Sequence, residues 1–259
     1  MKRLENKIAI ITGASKGLGE ADSRRFIEEG ATVIMTDIDT DAGQKLAAEL
    51  GDKAEFHEQD VRDEETWKSL INGVVDRHGG LDVLVNNAGV VQPGSIEDQT
   101  IEEWDFIMDV SARGAFLGCK YGVKAMRESG GGSIINMASI ASIQGEDRIA
   151  AYSAAKGAIQ GLTLSIAAFG AKNGLNIRCN SLHPSGIVTP MVTNIRDLIS
   201  NNEAAKKLLV PEEELGEPSD VANMVVFLAS DESKFINGTA TAIDNGKSII
   251  PGMFIERST

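Results

Sequence analysis

The sequence predicts an α/β protein: a doubly wound parallel sheet of about seven strands, with helices on both faces. Three observations predict it. Short apolar runs alternate with longer amphipathic segments along the chain. Several of those runs are apolar without alternation, as in strands covered on both faces. A glycine-rich loop joins the first run to the first helical segment.

The first strand is Lys7–Thr12, followed by a helix at Leu18–Glu29. Thr32–Thr36 precedes a helix at Asp41–Leu50, and Ala54–His57 precedes one at Glu64–Arg77. In the last of these, Trp67, Leu70, Ile71, Val74 and Val75 repeat with the helical period. Leu81–Val85 leads to a long helix, Ile101–Glu128, and Ser133–Met137 to another, Tyr152–Lys172. Asn176–Asn180 and Thr239–Ile243 supply the last strands, with a helix at Ser219–Ala229 between them. One stretch breaks the rhythm. Pro190–Pro218 holds no strand and mixes charges with Leu198, Ile199, Leu208 and Leu209, which reads as a flap over a substrate pocket. No repeat or linker divides the chain, so residues 1–259 read as a single domain.

Among 259 residues, 25 are basic and 38 acidic, a formal charge of −13. This argues against a nucleic-acid surface and against docking on anionic lipid. No apolar run approaches the ~20 residues of a membrane span, and Ile8–Ile11 is too short for a signal-peptide core. The two cysteines, Cys119 and Cys179, indicate neither a disulfide framework nor a zinc cluster. They read as buried free thiols in a reducing, cytoplasmic compartment. His57, His78 and His183 lack metal-ligand spacing, so no metal is expected. Trp67 and Trp104 lie on amphipathic helices and read as core or helix-face anchors. The tail Asn245–Thr259 is apolar enough to be buried, at a subunit interface or beside a neighbour's pocket.

In doubly wound sheets ligands lie beyond the carboxyl ends of the strands. There the first strand enters Thr12-Gly13-Ala14-Ser15-Lys16-Gly17-Leu18-Gly19. Glycines at Gly13, Gly17 and Gly19 let backbone approach a pyrophosphate, while the helix that follows offers unpaired N–H groups and its positive end. Asp37, followed by Ile38, ends the second strand 18 residues after Gly19. A carboxylate there accepts from both ribose hydroxyls and repels a 2′-phosphate, favouring NAD over NADP. Lys16 pulls the other way, and Asp37 has a plain alternative as a turn residue. Asp60-Val61 follows the third strand; Asp60 is either an acceptor for the adenine amino group or a helix cap. In Asn86-Asn87-Ala88-Gly89, the adjacent amides suit a turn that ties strands together beside the cofactor.

Tyr152 and Lys156 are four residues apart on one helix face. A phenol titrates near ~10, so a neutral-pH base needs a shift of about three units, or ~4 kcal/mol. An ammonium at ~4 Å supplies about that much at an effective dielectric of ~20. An oxidised nicotinamide ring adds a second positive charge. Ser139 follows the strand Ser133–Met137 and lies on the ligand side of the sheet, where its hydroxyl can hold a reacting oxygen.

With these motifs in order, the chain resembles the short-chain dehydrogenase/reductase family over nearly its whole length. The matching segments are Thr12–Gly19, Asp60, Asn86–Gly89, Ser139, Tyr152 with Lys156, and Asn180–Met191. The resemblance implies a Rossmann-type single domain, a homotetramer, and hydride transfer between a nicotinamide and an alcohol carbon. It implies that Lys156 also holds the nicotinamide ribose, that Val110 and Pro184 border the cofactor, and that Ile187 and Thr189 orient the carboxamide. Two departures stand out. Val110-Ser111 replaces the family's Val-Asn, so a proton relay behind the lysine passes through Ser111 and an extra water. His183-Pro184-Ser185-Gly186-Ile187 places its glycine one position later than the usual Pro-Gly. That variant, with Ile135–Ser139 and Phe227–Ser233, resembles bacterial hydroxysteroid dehydrogenases. His183 reads as a residue packed under the cofactor loop. The expectation is an NAD-dependent secondary-alcohol dehydrogenase for a cyclic or steroid-like small molecule, with Ser139, Tyr152 and Lys156 catalytic. Its rivals are an NADPH-linked ketoacyl-carrier reductase and a nucleotide-sensing regulator without turnover.

Overall fold

The structure, a computed structural model, describes residues 2–200, 211 and 214–249. Seven parallel strands form one sheet: β1 (Ile8–Thr12), β2 (Thr32–Asp37), β3 (Ala54–Glu58), β4 (Val83–Asn86), β5 (Gly132–Met137), β6 (Ile177–Pro184) and β7 (Ala240–Ile243). Their order is β3-β2-β1-β4-β5-β6-β7. The direction of winding reverses between β1 and β4, so the ligand crevice is expected beyond Thr12 and Asn86.

The continuous apolar runs are explained by two cores. Ala9 and Ile11 of β1 face one layer with Phe26, Val33, Met35, Val221 and Val225. Ile10 faces the other with Ile34, Trp67, Leu84 and Ile134. The first layer holds α1 (Gly17–Glu28) packed on α8 (Pro218–Ala229), together with α2 (Thr40–Leu50). The second holds α3 (Glu64–His78), α5 (Gly114–Glu128) and α6 (Ala150–Lys172). Local chemistry sets the ends: Asp39 caps α2 and Asp63 caps α3, which closes at left-handed Gly79.

Two elements differ from the sequence reading. The long helix is interrupted: α4 (Ile101–Ile107) passes through a wide π-helical turn, Met108–Arg113, into α5. Apolar periodicity resumes beyond the turn, so a sliding helical pattern does not register it. The stretch after Pro190 opens with a helix, α7 (Pro190–Ser200). Its base is tied by a bridge, with Gly216 N–H donating to the Gly186 carbonyl at 3.0 Å and Val188 N–H to the Gly216 carbonyl at 2.9 Å. Leu208, Leu209 and residues 250–259 of the apolar tail lie outside the described residues.

Other expectations are met. Cys119 and Cys179 are free and buried, and His183 is buried. Trp67 is core, donating to the Val61 carbonyl at 2.9 Å, whereas Trp104 lies on a helix face, 38% exposed. Among the described residues no helix is long and apolar enough to cross a membrane. Asp22, on the buried face of α1, has neither carboxylate oxygen hydrogen-bonded among the described residues, and burial pushes it well above the usual carboxylate range.

Candidate active site

A cleft of about 510 Å³ opens at the carboxyl ends of the strands. Gly13, Lys16, Gly17, Leu18, Asp37, Ile38, Asp60, Val61, Asn87, Ala88, Gly89, Val110, Ser139, Tyr152, Lys156, Pro184, Ile187 and Thr189, all singled out in the sequence, border it. Ser15, Gly19 and Ser111 stand behind that wall.

At one end the backbone is held by close approach. A Cβ on Gly19 would lie 2.3 Å from the Gly13 carbonyl oxygen and 2.7 Å from Asn87 Nδ2. Gly13 has φ +63, and a Cβ there would meet Ala88 Cα at 2.9 Å. Asn87 Nδ2 donates to the carbonyls of Thr12 at 2.9 Å and Gly13 at 3.1 Å, and Asn86 Nδ2 to Asn136 Oδ1 at 2.8 Å. The paired amides thus stitch β4 to β1 and β5. The loop exposes the start of α1 to the cleft, a fit for a pyrophosphate.

The carboxylates beside it are partly committed. Asp37 Oδ2 accepts from Ser15 N–H at 3.1 Å and Ser15 Oγ at 2.6 Å, and Oδ1 accepts from Asp39 N–H at 3.0 Å. Lys16 Nζ lies 3.6 Å from Asp39. Asp60 does not cap a helix, because Asp63 takes that place. It holds Arg62 instead, at 2.6 Å from Nη2 to Oδ2, and that hydrogen bond keeps its carboxyl below the usual range. Gln59 is an addition that sequence reasoning missed. It borders the cleft, buried, with its amide nitrogen and oxygen both without a hydrogen-bond partner among the described residues. An unpaired buried amide is costly, which suits a group that a bound nucleotide satisfies. The signal available was a polar residue just past the carboxyl end of β3, beside Asp60.

At the other end, Ser139 caps a short turn through its Oγ, which accepts Ala141 N–H at 3.2 Å. Lys156 is buried on α6 and donates from Nζ to the Met137 carbonyl at 2.7 Å. Its Nζ lies 5.5 Å from the centre of the Tyr152 ring. Here the electrostatic expectation fails for the protein alone. Burial pushes the Tyr152 phenol above its ordinary value, with the hydrogen bond to Ser139 pulling it back. Burial likewise lowers Lys156 to about 8. The one-turn spacing sets the amine against the ring, and desolvation of both groups outweighs their mutual attraction. Ser111, fully buried in the π-helical turn, has its Oγ 3.4 Å from Val90 N. A Cβ on Gly89 would lie 3.2 Å from Lys156 Nζ and 3.4 Å from Ser111 Oγ, so the two flank the same backbone.

A family model described as enoyl-(acyl carrier protein) reductase matches residues 13–248. A 3-beta-hydroxysteroid dehydrogenase of Comamonas testosteroni is 39% identical over 249 residues, covering 94% of this chain and 96% of its own. An NADP-dependent (R)-specific alcohol dehydrogenase of Lentilactobacillus kefiri is 38% identical over 247 residues, covering 94% and 97%. The crystal structure of levodione reductase matches with a TM-score of 0.88 at 31% identity, over 95% of this chain and 99% of that one. The chain belongs to the short-chain dehydrogenase/reductase family. It is an oxidoreductase of the kind that acts on CH–OH groups with a nicotinamide cofactor.

For a short-chain dehydrogenase/reductase, the packing behind Ser139 is informative. His183 Nδ1 lies 2.8 Å from Ser142 Oγ and 3.1 Å from the Ser139 carbonyl, and Nε2 lies 2.8 Å from Ser181 Oγ. Burial and the nearby Lys156 charge lower its pKa, against the Ser139 hydrogen bond, which favours the neutral ring. His183 is the packed residue the sequence predicts. Ser142, which donates to the Ser139 carbonyl at 2.6 Å, was not legible.

Proposed function

We propose that the protein is an NAD-linked dehydrogenase that interconverts a secondary alcohol, cyclic or steroid-like, and its ketone. The observation that carries this reading is the convergence of Ser139, Tyr152 and Lys156 on one end of a cleft whose other end is a dinucleotide loop. Ser139 Oγ holds the substrate oxygen. Tyr152 takes the hydroxyl proton in oxidation and returns it in reduction. When bound, the nicotinamide supplies the hydride acceptor or donor. Tyr152, raised by burial, would ionise more readily with an oxidised nicotinamide bound. Lys156, held by the Met137 carbonyl, would hold the nicotinamide ribose and support the same ionisation. Ser111 carries protons behind Lys156.

Pro190, Met191, Val192 and Ile195 of α7 border the cleft together with Val90, Val91, Pro93 and Phe106, which supports an apolar substrate under a flap. Asp37 at the ribose position supports NAD, and so does the attraction of Lys16 toward Asp39. The Lentilactobacillus relative is NADP-dependent by name, so cofactor choice is the sharper test. A homotetramer and a reducing, cytoplasmic setting belong to the same reading.

The experiment is an oxidation and reduction screen with NAD(H) and NADP(H) over steroid, cyclic and short-chain substrates, run with Asp37→Ala alongside. The reading expects NAD-linked turnover of a bulky cyclic alcohol, and a variant that loses NAD while gaining NADP by about tenfold. NADPH-linked turnover of ketoacyl-carrier substrates, indifferent to Asp37→Ala, would replace it with the rival reductase. Tight cofactor binding without turnover would make the protein a regulator.

A further inference from the structure

The helix that carries Tyr152 begins without a cap of its own. α6 starts at Ala150, and Ile149 before it offers no side-chain acceptor. The first amides are met from a distant loop instead. Ala150 N–H faces the Gly94 carbonyl at 3.5 Å, and Ala151 N–H donates to Gln99 Oε1 at 2.7 Å. The loop is fixed in return. Gly94 N–H donates to the Arg148 carbonyl at 2.7 Å, Gln99 N–H to the Ser95 carbonyl at 3.0 Å, and Gln99 Nε2 to the Gln92 carbonyl at 3.2 Å. Both ends of the Gln99 amide are therefore engaged. A Cβ on Gly94 would press on Gln99 Cβ at 3.2 Å, so the space around the side chain is tight. The residue it caps immediately precedes Tyr152. Its own neighbour Thr100 is the cap of α4, the helix that runs through the wide turn to Ser111.

We propose that Gln99 is a positioning residue for the reaction: its side-chain carbonyl caps α6 and fixes the phenol of Tyr152 against Ser139. The inference rests on Tyr152 as the proton acceptor. Leucine at position 99 removes the acceptor at similar size. Glutamate keeps an acceptor for Ala151 N–H and brings a negative charge to the helix start, which raises the phenol's pKa further.

The test uses the full chain with saturating cofactor, with kcat and KM measured across pH 6–10 for the wild type, Gln99→Leu, Gln99→Glu and Tyr152→Phe. Gln99→Leu is expected to lower kcat about tenfold, with cofactor affinity within about twofold of wild type. Gln99→Glu is expected to recover kcat at the alkaline end only, its profile displaced to higher pH. A melting curve for each variant identifies folded protein, and the Gln99→Glu profile carries the test if Gln99→Leu does not fold. Wild-type kcat in folded Gln99→Leu, or a Gln99→Glu profile without displacement, overturns the cap while Tyr152→Phe remains slow. An active Tyr152→Phe overturns the Tyr152 reading itself.

Discussion

The two ends of the cleft lie at the same edge of the sheet and are built by opposite means. In the Gly13–Gly19 loop, neighbouring backbone lies so close to Gly13 and Gly19 that no Cβ fits at either. The Ser139–Tyr152–Lys156 end is fixed by polar side chains taken out of water, with Lys156 pinned to Met137 and Ser139 braced by Ser142 and His183. Sterics hold at every pH, whereas charges in a dry site do not. The first end should therefore respond to added atoms and the second to protons.

The largest expected effect is at the second end. Tyr152→Phe should lower kcat about 1,000-fold while leaving the cofactor dissociation constant within about twofold, measured by stopped-flow turnover and by titration. Loss of cofactor binding in this variant would mean that the two ends are not separable. Gly19→Ala comes next: cofactor affinity should fall by about 100-fold equally at pH 6 and pH 9, because the added methyl collides with the Gly13 carbonyl. A pH-dependent loss would break the comparison.

Lys156 sharpens it through stability. Its pKa falls from an ordinary 10.5 to about 8 in the folded chain, so between those values the unfolded chain binds the extra proton. The cofactor-free protein should gain stability as pH rises from 8 toward 10, and Lys156→Met should flatten that rise in urea denaturation. Above pH 10 the raised phenol of Tyr152 opposes the gain, because there the folded chain is the one that keeps a proton. The smallest effect belongs to Asp22, a buried carboxyl on α1 behind the steric end. Its folded pKa is raised, so the stability it allows at low pH is lost as pH climbs past its unfolded value of 3.8. Asp22→Asn should raise the melting midpoint by about 2–4 °C at pH 8 and by less at pH 4.

The same contrast decides what could be read from the sequence. Glycine at Gly13 and Gly19 is required by φ and by Cβ clearance, so residue type reports geometry directly. Strands such as β1 and β4 were legible because their apolar residues run on without alternation, and the Tyr152 and Lys156 pair because one helical turn brings them to one face. The sign of the Tyr152 shift was not legible. It depends on how much water the fold removes and on where the Lys156 amine points, and neither is a local property. The same holds for Asp60, whose carboxylate went to Arg62 rather than to a helix. It holds too for Gln59 and Gln99, ordinary polar letters in the sequence that matter only through what the tertiary structure sets opposite them.

The wide turn at Met108–Arg113 has a consequence for how this chain tolerates length changes. An ordinary helix advances about 100° per residue and the wider turn less, so the turn takes up one surplus residue and leaves α4 and α5 nearly in phase. Removing one residue there would let the winding become regular while α4 and α5 keep nearly the same relative rotation, so only residues inside the turn would change direction. Ser111, inside the turn, would be displaced from Gly89, whereas the Thr100 end of α4 would keep its place. A single deletion in that turn should thus be better tolerated by the fold than one in α4 or α5, where the helix face would shift by about 100°.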